Sequence, residues 1–249
     1  MGDIFFTVLY QPLYNALVVL YNLVPAGGLG LAIILVTIVV KGALMPLTYK
    51  SMKAQKELQE IQPKVKEIRE KYKDNQEELA KQLMGVYKAH NVNPFASCLP
   101  MVAQLIIFIA LYQVLQAGIE TIDPEKLYSF VANPGTMAHV FLGIDLAHIS
   151  IPLTVIAAIA SFFQARQMVS RRPPKAVREN AEGDKAMDED MTATMNKMTM
   201  FMLPVMTLII GITTVSAGLI LYMLVSTIVT FIMYQYFLGK PAQAPIVTN

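Results

Sequence analysis

Long apolar runs constrain the fold of this chain more than any other feature of its sequence. The loops between them differ widely in their number of basic residues. Each run is close to the roughly 20 residues that a helix needs to cross about 30 Å of hydrocarbon. Backbone groups in lipid have no water to bond, so such runs are expected to be helices. The sequence therefore predicts an all-α, polytopic membrane protein with transmembrane helices over 28–49, 94–116, 149–169, 198–214 and 217–238.

The composition agrees with a membrane protein and argues against several other classes. Apolar residues make up 55% of the 249 residues, whereas about 45–50% is typical of soluble domains. The single cysteine, Cys98, excludes an internal disulfide framework and a cysteine-based metal site. The histidines His90, His139 and His148 match no metal-ligand spacing. We expect no metal, no cofactor and no enzyme activity, because no nucleophile–base pair stands in the spans.

The basic residues of the loops predict the orientation. Residues 1–28 contain no Lys or Arg, the segment 50–93 contains ten, and the loop 165–197 contains seven. Lys126 is the one basic residue of the loop 117–148. Because basic loops favour the cytoplasmic side, we expect the inner (plasma) membrane, with the N-terminus outside and the C-terminus in the cytoplasm. The loop 117–148 is then extracytoplasmic, whereas the loop 170–197 and the tail 239–249 are cytoplasmic.

Two segments outside the predicted spans have helical patterns. Residues 1–25 are amphipathic, which favours a helix lying in the outer interface; the alternative is a poorly ordered leader. Within 50–93 the apolar residues step by three and four, as in a coiled coil. Asn75 with Glu78 there resembles a capping box, and Pro63 is expected to begin or bend the first helix. This predicts a cytoplasmic antiparallel helical hairpin, either a solvated connector or a docking surface.

Lys41 is the sharpest functional signal. It lies within the first predicted span, eight residues before Tyr49, which is roughly 12 Å of helix. A lysine at mid-bilayer costs on the order of 3 kcal/mol or more, and the predicted spans contain no Asp or Glu. Lys41 is therefore either a lysine that snorkels to the interface or a charge that lines a wet cavity.

Each predicted span also carries polar side chains at helical spacing. Ser, Thr and Gln commonly join membrane helices to one another, which is the ordinary interpretation of any one of them. Polar stripes on five helices, beside one uncompensated charge, instead favour a shared polar space. The candidate residues are Lys41, Thr37, Gln104, Ser161, Gln164, Thr207, Ser226 and Thr230.

Three separated motifs resemble the YidC/Oxa/Albino family of membrane insertases over about residues 30–238. They are VTIVVKGALMPLTYKSMKAQ, then NPFASCLPMVAQ with FIALYQVL, then SAGLILYMLVSTIVTFIMYQYF. The resemblance implies five helices around a hydrophilic groove that is open to the cytoplasm and to lipid, and closed outside. It also implies that Lys41 stands where an Arg is usual, and that Thr37 and Tyr222 line the groove. Met223 stands where many relatives have Tyr or Trp.

The function implied by the resemblance is that of an insertase or chaperone for nascent membrane proteins. Membrane lipids are expected partners, and the ribosome, the Sec translocon and a targeting receptor are further candidates; no specific nucleic acid is expected. The alternative is a small-anion transporter or channel using Lys41, which would predict inverted repeats or a broken helix at midplane. The cytoplasmic docking residues are predicted to be Lys64, Lys66, Arg69, Lys71 and Lys73.

Overall fold

The structure, a computed structural model, describes residues 5–24, 28–93, 99–118, 122–170 and 200–238. The predicted cytoplasmic tail 239–249 lies outside the described residues, as does nearly all of the predicted loop 170–197. The first few residues of the second and fourth predicted spans also lie outside them.

The described chain is mainly helical, in agreement with the predicted all-α class. The helices are α1 (Gln11–Leu23), α2 (Gly28–Ala43), α3 (Met45–Glu60), α4 (Gln62–Lys71), α5 (Gln76–Ala89), α6 (Leu99–Gly118), α7 (Ile151–Ser170), α8 (Met200–Thr213) and α9 (Ala217–Leu238). A π-helical turn, Phe6–Tyr10, precedes α1, and a 3₁₀ turn, Pro124–Lys126, follows α6.

A short antiparallel ribbon before α7 departs from the all-helical expectation. It pairs β1 (Val140–Phe141) with β2 (Ile144–Asp145). Each strand has two residues, which is too short to give the alternating pattern by which a sequence indicates a strand.

By length and composition, α9 is the one helix in the described chain that could cross a membrane unaided, over Ala217–Phe237. Helices α2 and α3 meet the same criterion only as a bent pair, Gly28–Ala43 with Met45–Leu58. Shorter apolar stretches occur in α6 (Met101–Gln116) and in α8 (Met200–Thr213). The number of spans, five, therefore stays a prediction.

The predicted span over 28–49 contains a bend. Helices α2 and α3 meet at an angle of 60°. The backbone bonds from Leu44 N to Val40 O (3.0 Å) and from Thr48 N to Leu44 O (2.9 Å) continue through the bend. Pro46 lacks an N–H, and its ring crowds the preceding turn, which is a usual cause of a kink. The residues after the bend advance only about half as far along the axis of α2, so the depth calculated for Lys41 from a straight helix does not hold.

The hydrophobic core lies among α1, α2, α6, α7 and α9. Helix α9 packs against α7 and α2, and α1 packs against α2 and α6. Tyr14, Leu29, Leu111, Leu219 and Tyr222 are among the buried side chains that meet there. Four helices that carry polar candidates, α2, α6, α7 and α9, are therefore held by one continuous apolar core.

One end of this bundle is covered by the segment that leads into α7. Leu29 N, at the start of α2, donates to Ala138 O at 2.9 Å. At the start of α9, Ala217 N donates to His148 O (2.7 Å) and Gly218 N donates to Leu146 O (2.9 Å). The first N–H groups of a helix have no partner within it, so these carbonyls complete both helix starts. We call this the covered end, and the opposite end, with α3 to α5, the hairpin end.

A buried asparagine ties α1 to the loop at the covered end. The Asn15 side-chain amide donates to Gln11 O (2.8 Å) and to Lys126 O (3.0 Å), and its oxygen accepts from Tyr128 N at 2.7 Å. A buried backbone group that loses its partner costs about 1–3 kcal/mol. Asn15 therefore fixes the position of the 3₁₀ turn relative to α1.

Gly30 is required for the close approach of the ribbon to α2. A Cβ atom at this position would lie 2.1 Å from Phe141 Cγ. We expect Gly30→Ala to lower the midpoint of thermal unfolding in detergent or nanodiscs, because overpacking a core costs about 1–3 kcal/mol. The matched control on the same helix is Gly42→Ala, where an added Cβ meets no described atom within 4 Å. Similar destabilisation by both variants would contradict this account of Gly30.

Candidate functional site

Lys41 lies in the last turn of α2 and reaches two other helices. Its ammonium donates to Gln104 Oε1 on α6 (3.0 Å) and to Thr230 Oγ1 on α9 (3.0 Å). An ammonium group has three N–H donors. One of them has no acceptor among the described residues.

Gln104 extends these contacts along α9. Its side-chain nitrogen donates to the hydroxyl of Tyr222 in a short bond, and the Ser226 hydroxyl lies 3.5 Å from Gln104 Oε1. The Thr230 hydroxyl in turn donates to the backbone carbonyl of Ser226 at 2.7 Å. Lys41, Gln104, Tyr222, Ser226 and Thr230 thus form one connected set, which we call the polar network.

The polar network is buried on one side and open on the other. Tyr222 and Ser226 expose only 1% and 5% of their surface. Lys41, Gln104 and Thr230 are partly exposed. The charged end of the network can therefore be reached from outside the protein, while its tyrosine end is fixed in the core.

The positive charge of the network is oriented but not neutralised. The groups that accept from Lys41 are an amide oxygen and a hydroxyl, both uncharged. In the part of the chain that the structure describes, no carboxylate forms an ion pair with Lys41. The site is thus suited to a visiting anionic group, which would complete the coordination of the ammonium.

Five other predicted site residues lie outside the polar network as far as the described hydrogen bonds extend. Thr37 is buried and donates to Ile33 O (2.6 Å), and Thr207 is buried and donates to Leu203 O (2.9 Å). Threonine hydroxyls in helices commonly bond the carbonyl one turn back. The remaining three are Ser161 and Gln164 on α7, both partly buried, and Met223, which packs against the core.

The predicted docking residues lie on the hairpin end. Helices α4 and α5 pack through a small apolar core built around Ile61, Val65 and Val92. Asn75 is the N-cap of α5, and its side chain accepts from Glu78 N at 3.1 Å. The basic residues Lys64, Lys66, Arg69, Lys71 and Lys73 are exposed or partly exposed on and just after α4. Their docking role stays a prediction.

One contact near the site was not predicted from the sequence. The Tyr234 hydroxyl donates to Gln55 Oε1 at 2.6 Å and so joins α9 to α3. Met52 is buried beside Met233 and Tyr234, and the rings of Tyr49 and Phe237 meet edge to face at 5.2 Å. Tyr234 continues the polar stripe of the last span, but Gln55 lies in a Lys- and Glu-rich helix where no pattern distinguishes it. This contact fixes α3 against the end of α9.

The sequence matches the family described as 60Kd inner membrane protein over residues 19–243. The chain belongs to this family. The match covers each helix of the polar network, and it confirms the resemblance noted on the motifs. The description of the family names an inner membrane protein, which agrees with the membrane protein predicted from the sequence.

Curated relatives in this family are named membrane protein insertase YidC. The Pelobacter propionicus protein is 37% identical over 172 residues, covering 68% of this chain and 31% of that protein. The Syntrophobacter fumaroxidans protein is 33% identical over 215 residues, covering 86% of this chain and 35% of that protein. The chain thus spans about a third of the length of these two relatives.

A relative from Fusobacterium nucleatum, also named membrane protein insertase YidC, has nearly the same length. It is 32% identical over 214 residues, which cover 86% of this chain and 87% of that protein. These names agree with the expectation of a protein that is not an enzyme. They do not favour the alternative of a small-anion transporter or channel.

Proposed function

We propose that this chain is a non-enzymatic membrane protein insertase. A polar tail or short loop of a nascent membrane protein enters a groove from the cytoplasm, and its acidic residues approach Lys41. The client helix then leaves the groove sideways into lipid. The observation that carries this proposal is the uncompensated charge of Lys41, which is held by Gln104 and Thr230 at the open side of the polar network.

The groove would lie among five transmembrane helices: the bent pair α2–α3, then α6, α7, α8 and α9. The covered end would face outside and the hairpin end the cytoplasm, as the basic content of the loops indicates. The hydrogen bonds from the helix starts to Ala138, Leu146 and His148 support closure of the outer end. A client segment would then meet the network only from the cytoplasm or from lipid.

The groove would act by reducing the cost of desolvation. A bare polar group costs about 2–7 kcal/mol in an apolar medium, and the hydroxyl and amide groups of the network replace part of its lost water. Apolar burial in lipid then drives release of the client helix. Exposed apolar side chains on α7 and α9, such as Ile156, Ile159 and Ile232, support a path along these two helices.

The hairpin end would meet the delivery machinery. Its basic residues, Lys64, Lys66, Arg69, Lys71 and Lys73, are accessible to a ribosome, a targeting receptor, the Sec translocon or the arriving client. Nascent membrane proteins and membrane lipids are the partners that the groove itself requires.

Reconstitution tests the proposed function. Vesicles containing the purified chain should insert a single-span client with an acidic tail faster than empty vesicles, as measured by protection of the tail from protease. Lowering the barrier by about 1.4 kcal/mol accelerates insertion about tenfold. Equal insertion in both kinds of vesicle would contradict the proposal, and anion flux without insertion would instead support a transporter.

A further inference from the structure

An open cleft of about 460 Å³ lies between the π-helical turn that precedes α1 and the last turns of α6. Its size is in the range of small-ligand sites, about 300–1,000 Å³. The insertase proposal assigns it no role. Its lining residues are Phe6, Tyr10, Tyr112, Gln113, Gln116 and Lys126.

One wall of this cleft is aromatic. The rings of Phe6 and Tyr10 stack with centroids 5.2 Å apart, and the Tyr10 ring stacks on Tyr14 at 5.9 Å. Phe6 and Tyr10 both belong to the π-helical turn, an uncommon geometry that is often found at functional sites. The stacked rings supply a π-face to which a cation can bind.

Lys126, which lines the cleft, forms an ion pair with Asp123, the N-cap of the same 3₁₀ turn. We call these two residues the rim pair. Lys126 Nζ lies 2.9 Å from Asp123 Oδ2 and 5.9 Å from the centroid of the Tyr10 ring. The two charged side chains are 31% and 38% exposed, so both can contact a ligand. The hydrogen bond from Lys126 lowers the pKa of Asp123, and the same bond raises the pKa of Lys126. Both groups are therefore charged at neutral pH.

We propose that this cleft binds the headgroup of a zwitterionic aminophospholipid, of the phosphatidylethanolamine class. The lipid phosphate would accept from the Lys126 ammonium, and the lipid ammonium would lie between the Asp123 carboxylate and the Tyr10 ring. A net anionic headgroup would offer the same phosphate to Lys126 but no cation to the Asp123 carboxylate. Charge complementarity therefore selects the zwitterion. The exposed apolar side chain of Val8 on the same turn is suited to the adjoining lipid chains.

The cleft lies beside the loop at the covered end of the bundle. Its place in the outer leaflet rests on the orientation given in the proposed function. The headgroup chemistry itself does not depend on that assignment. Loss of insertion in a chain that still selects the aminolipid would count against the insertase proposal alone.

A tryptophan reporter can test the cleft, because the chain contains no Trp. We would reconstitute Phe6→Trp in phosphatidylglycerol–phosphatidylethanolamine vesicles in which one lipid at a time carries shallow brominated chains. Brominated phosphatidylethanolamine should quench the reporter more strongly than brominated phosphatidylglycerol. The difference should correspond to a local enrichment of about fivefold, which is the size of effect expected from one exposed charge contact. The control Ile151→Trp, on an exposed position of α7, should be quenched equally by both lipids.

Two charge variants decide whether the selectivity comes from the rim pair. Asp123→Asn keeps an oxygen that can accept from Glu125 N, as Asp123 does now at 3.1 Å, but removes the negative charge. It should shift the preference of the reporter to phosphatidylglycerol. Lys126→Gln leaves the Asp123 carboxylate alone, so it should weaken the contact with both lipids but keep the preference for phosphatidylethanolamine. The proposal is overturned if the Phe6→Trp reporter responds equally to both lipids, or if Asp123→Asn leaves its preference unchanged.

Discussion

Replacing Lys41 by glutamate should abolish the insertion of clients with acidic tails. Two unit charges 4 Å apart interact by about 1 kcal/mol in water and by about 4 kcal/mol at an effective dielectric constant of 20. Lys41→Glu converts this attraction into repulsion, so the insertion rate of an acidic client should fall by at least about tenfold. Lys41→Arg keeps the charge and should retain most of the activity. Lys41→Ala should lie between the two.

The client provides the sharpest control for this series. A client whose acidic tail residues are replaced by Asn and Gln should insert at similar rates with all four side chains at position 41. A client with a basic tail should be inserted better by Lys41→Glu than by the native chain. Both rates can be followed by protease protection in the same vesicles. If Lys41→Ala inserts acidic and neutral clients in the native ratio, the charge of Lys41 has no role in attracting clients.

Helices that are marked by residues close together in the sequence, such as an apolar run, an N-cap or a first-turn proline, could be predicted. Helix α9 is a long apolar run that begins after a turn, and it extends over Ala217–Leu238. Asn75 caps α5 through Glu78 N, as the spacing of these residues predicts. Pro63 lies in the first turn of α4, a position where the missing N–H costs nothing. In each case the decisive interaction joins residues a few positions apart.

The polar network could be predicted only as a set of candidates. Periodicity places Gln104 and Thr230 on polar faces, but it does not give the rotation of each helix against its neighbours. The contacts from Lys41 to these residues span 63 and 189 positions. Thr37 and Thr207 carry the same pattern, yet both donate within their own helices. A threonine can satisfy its hydroxyl locally, so spacing alone does not tell which threonines bond across helices.

The bend and the covered end depend on geometry that the pattern of the sequence does not contain. A proline in a helical run either kinks the helix or ends it, and Pro46 does not indicate which of the two occurs. The hydrogen bonds at the covered end are accepted by backbone carbonyls of residues 138, 146 and 148, which every residue type offers. No side-chain signal could therefore have identified these contacts.

Gln104→Glu should remove the attraction for acidic clients without removing Lys41. The amide oxygen of Gln104 already lies 3.0 Å from Lys41 Nζ, so a carboxylate there needs no rearrangement to form an ion pair. This carboxylate would form an ion pair with the Lys41 ammonium in place of an acidic residue of the client. Breaking such a pair would cost on the order of 4 kcal/mol at 4 Å and an effective dielectric constant of 20. Insertion of acidic clients should fall to the level of Lys41→Ala, while neutral clients are spared.

Gln104→Met separates neutralisation of the charge from loss of the hydrogen bonds. Methionine has a similar length and no charge, so this variant loses the bonds to Lys41 and Tyr222 but leaves the ammonium uncompensated. It should lower the thermal stability in nanodiscs, because two buried or partly buried polar groups lose a partner at about 1–3 kcal/mol each. It should nevertheless keep the preference for acidic over neutral clients, whereas Gln104→Glu should keep its stability and lose that preference. Because the two variants are expected to change opposite properties, a general weakening of the fold cannot produce both results. Native insertion of acidic clients by Gln104→Glu would mean that the free charge of Lys41 is not what draws them into the groove.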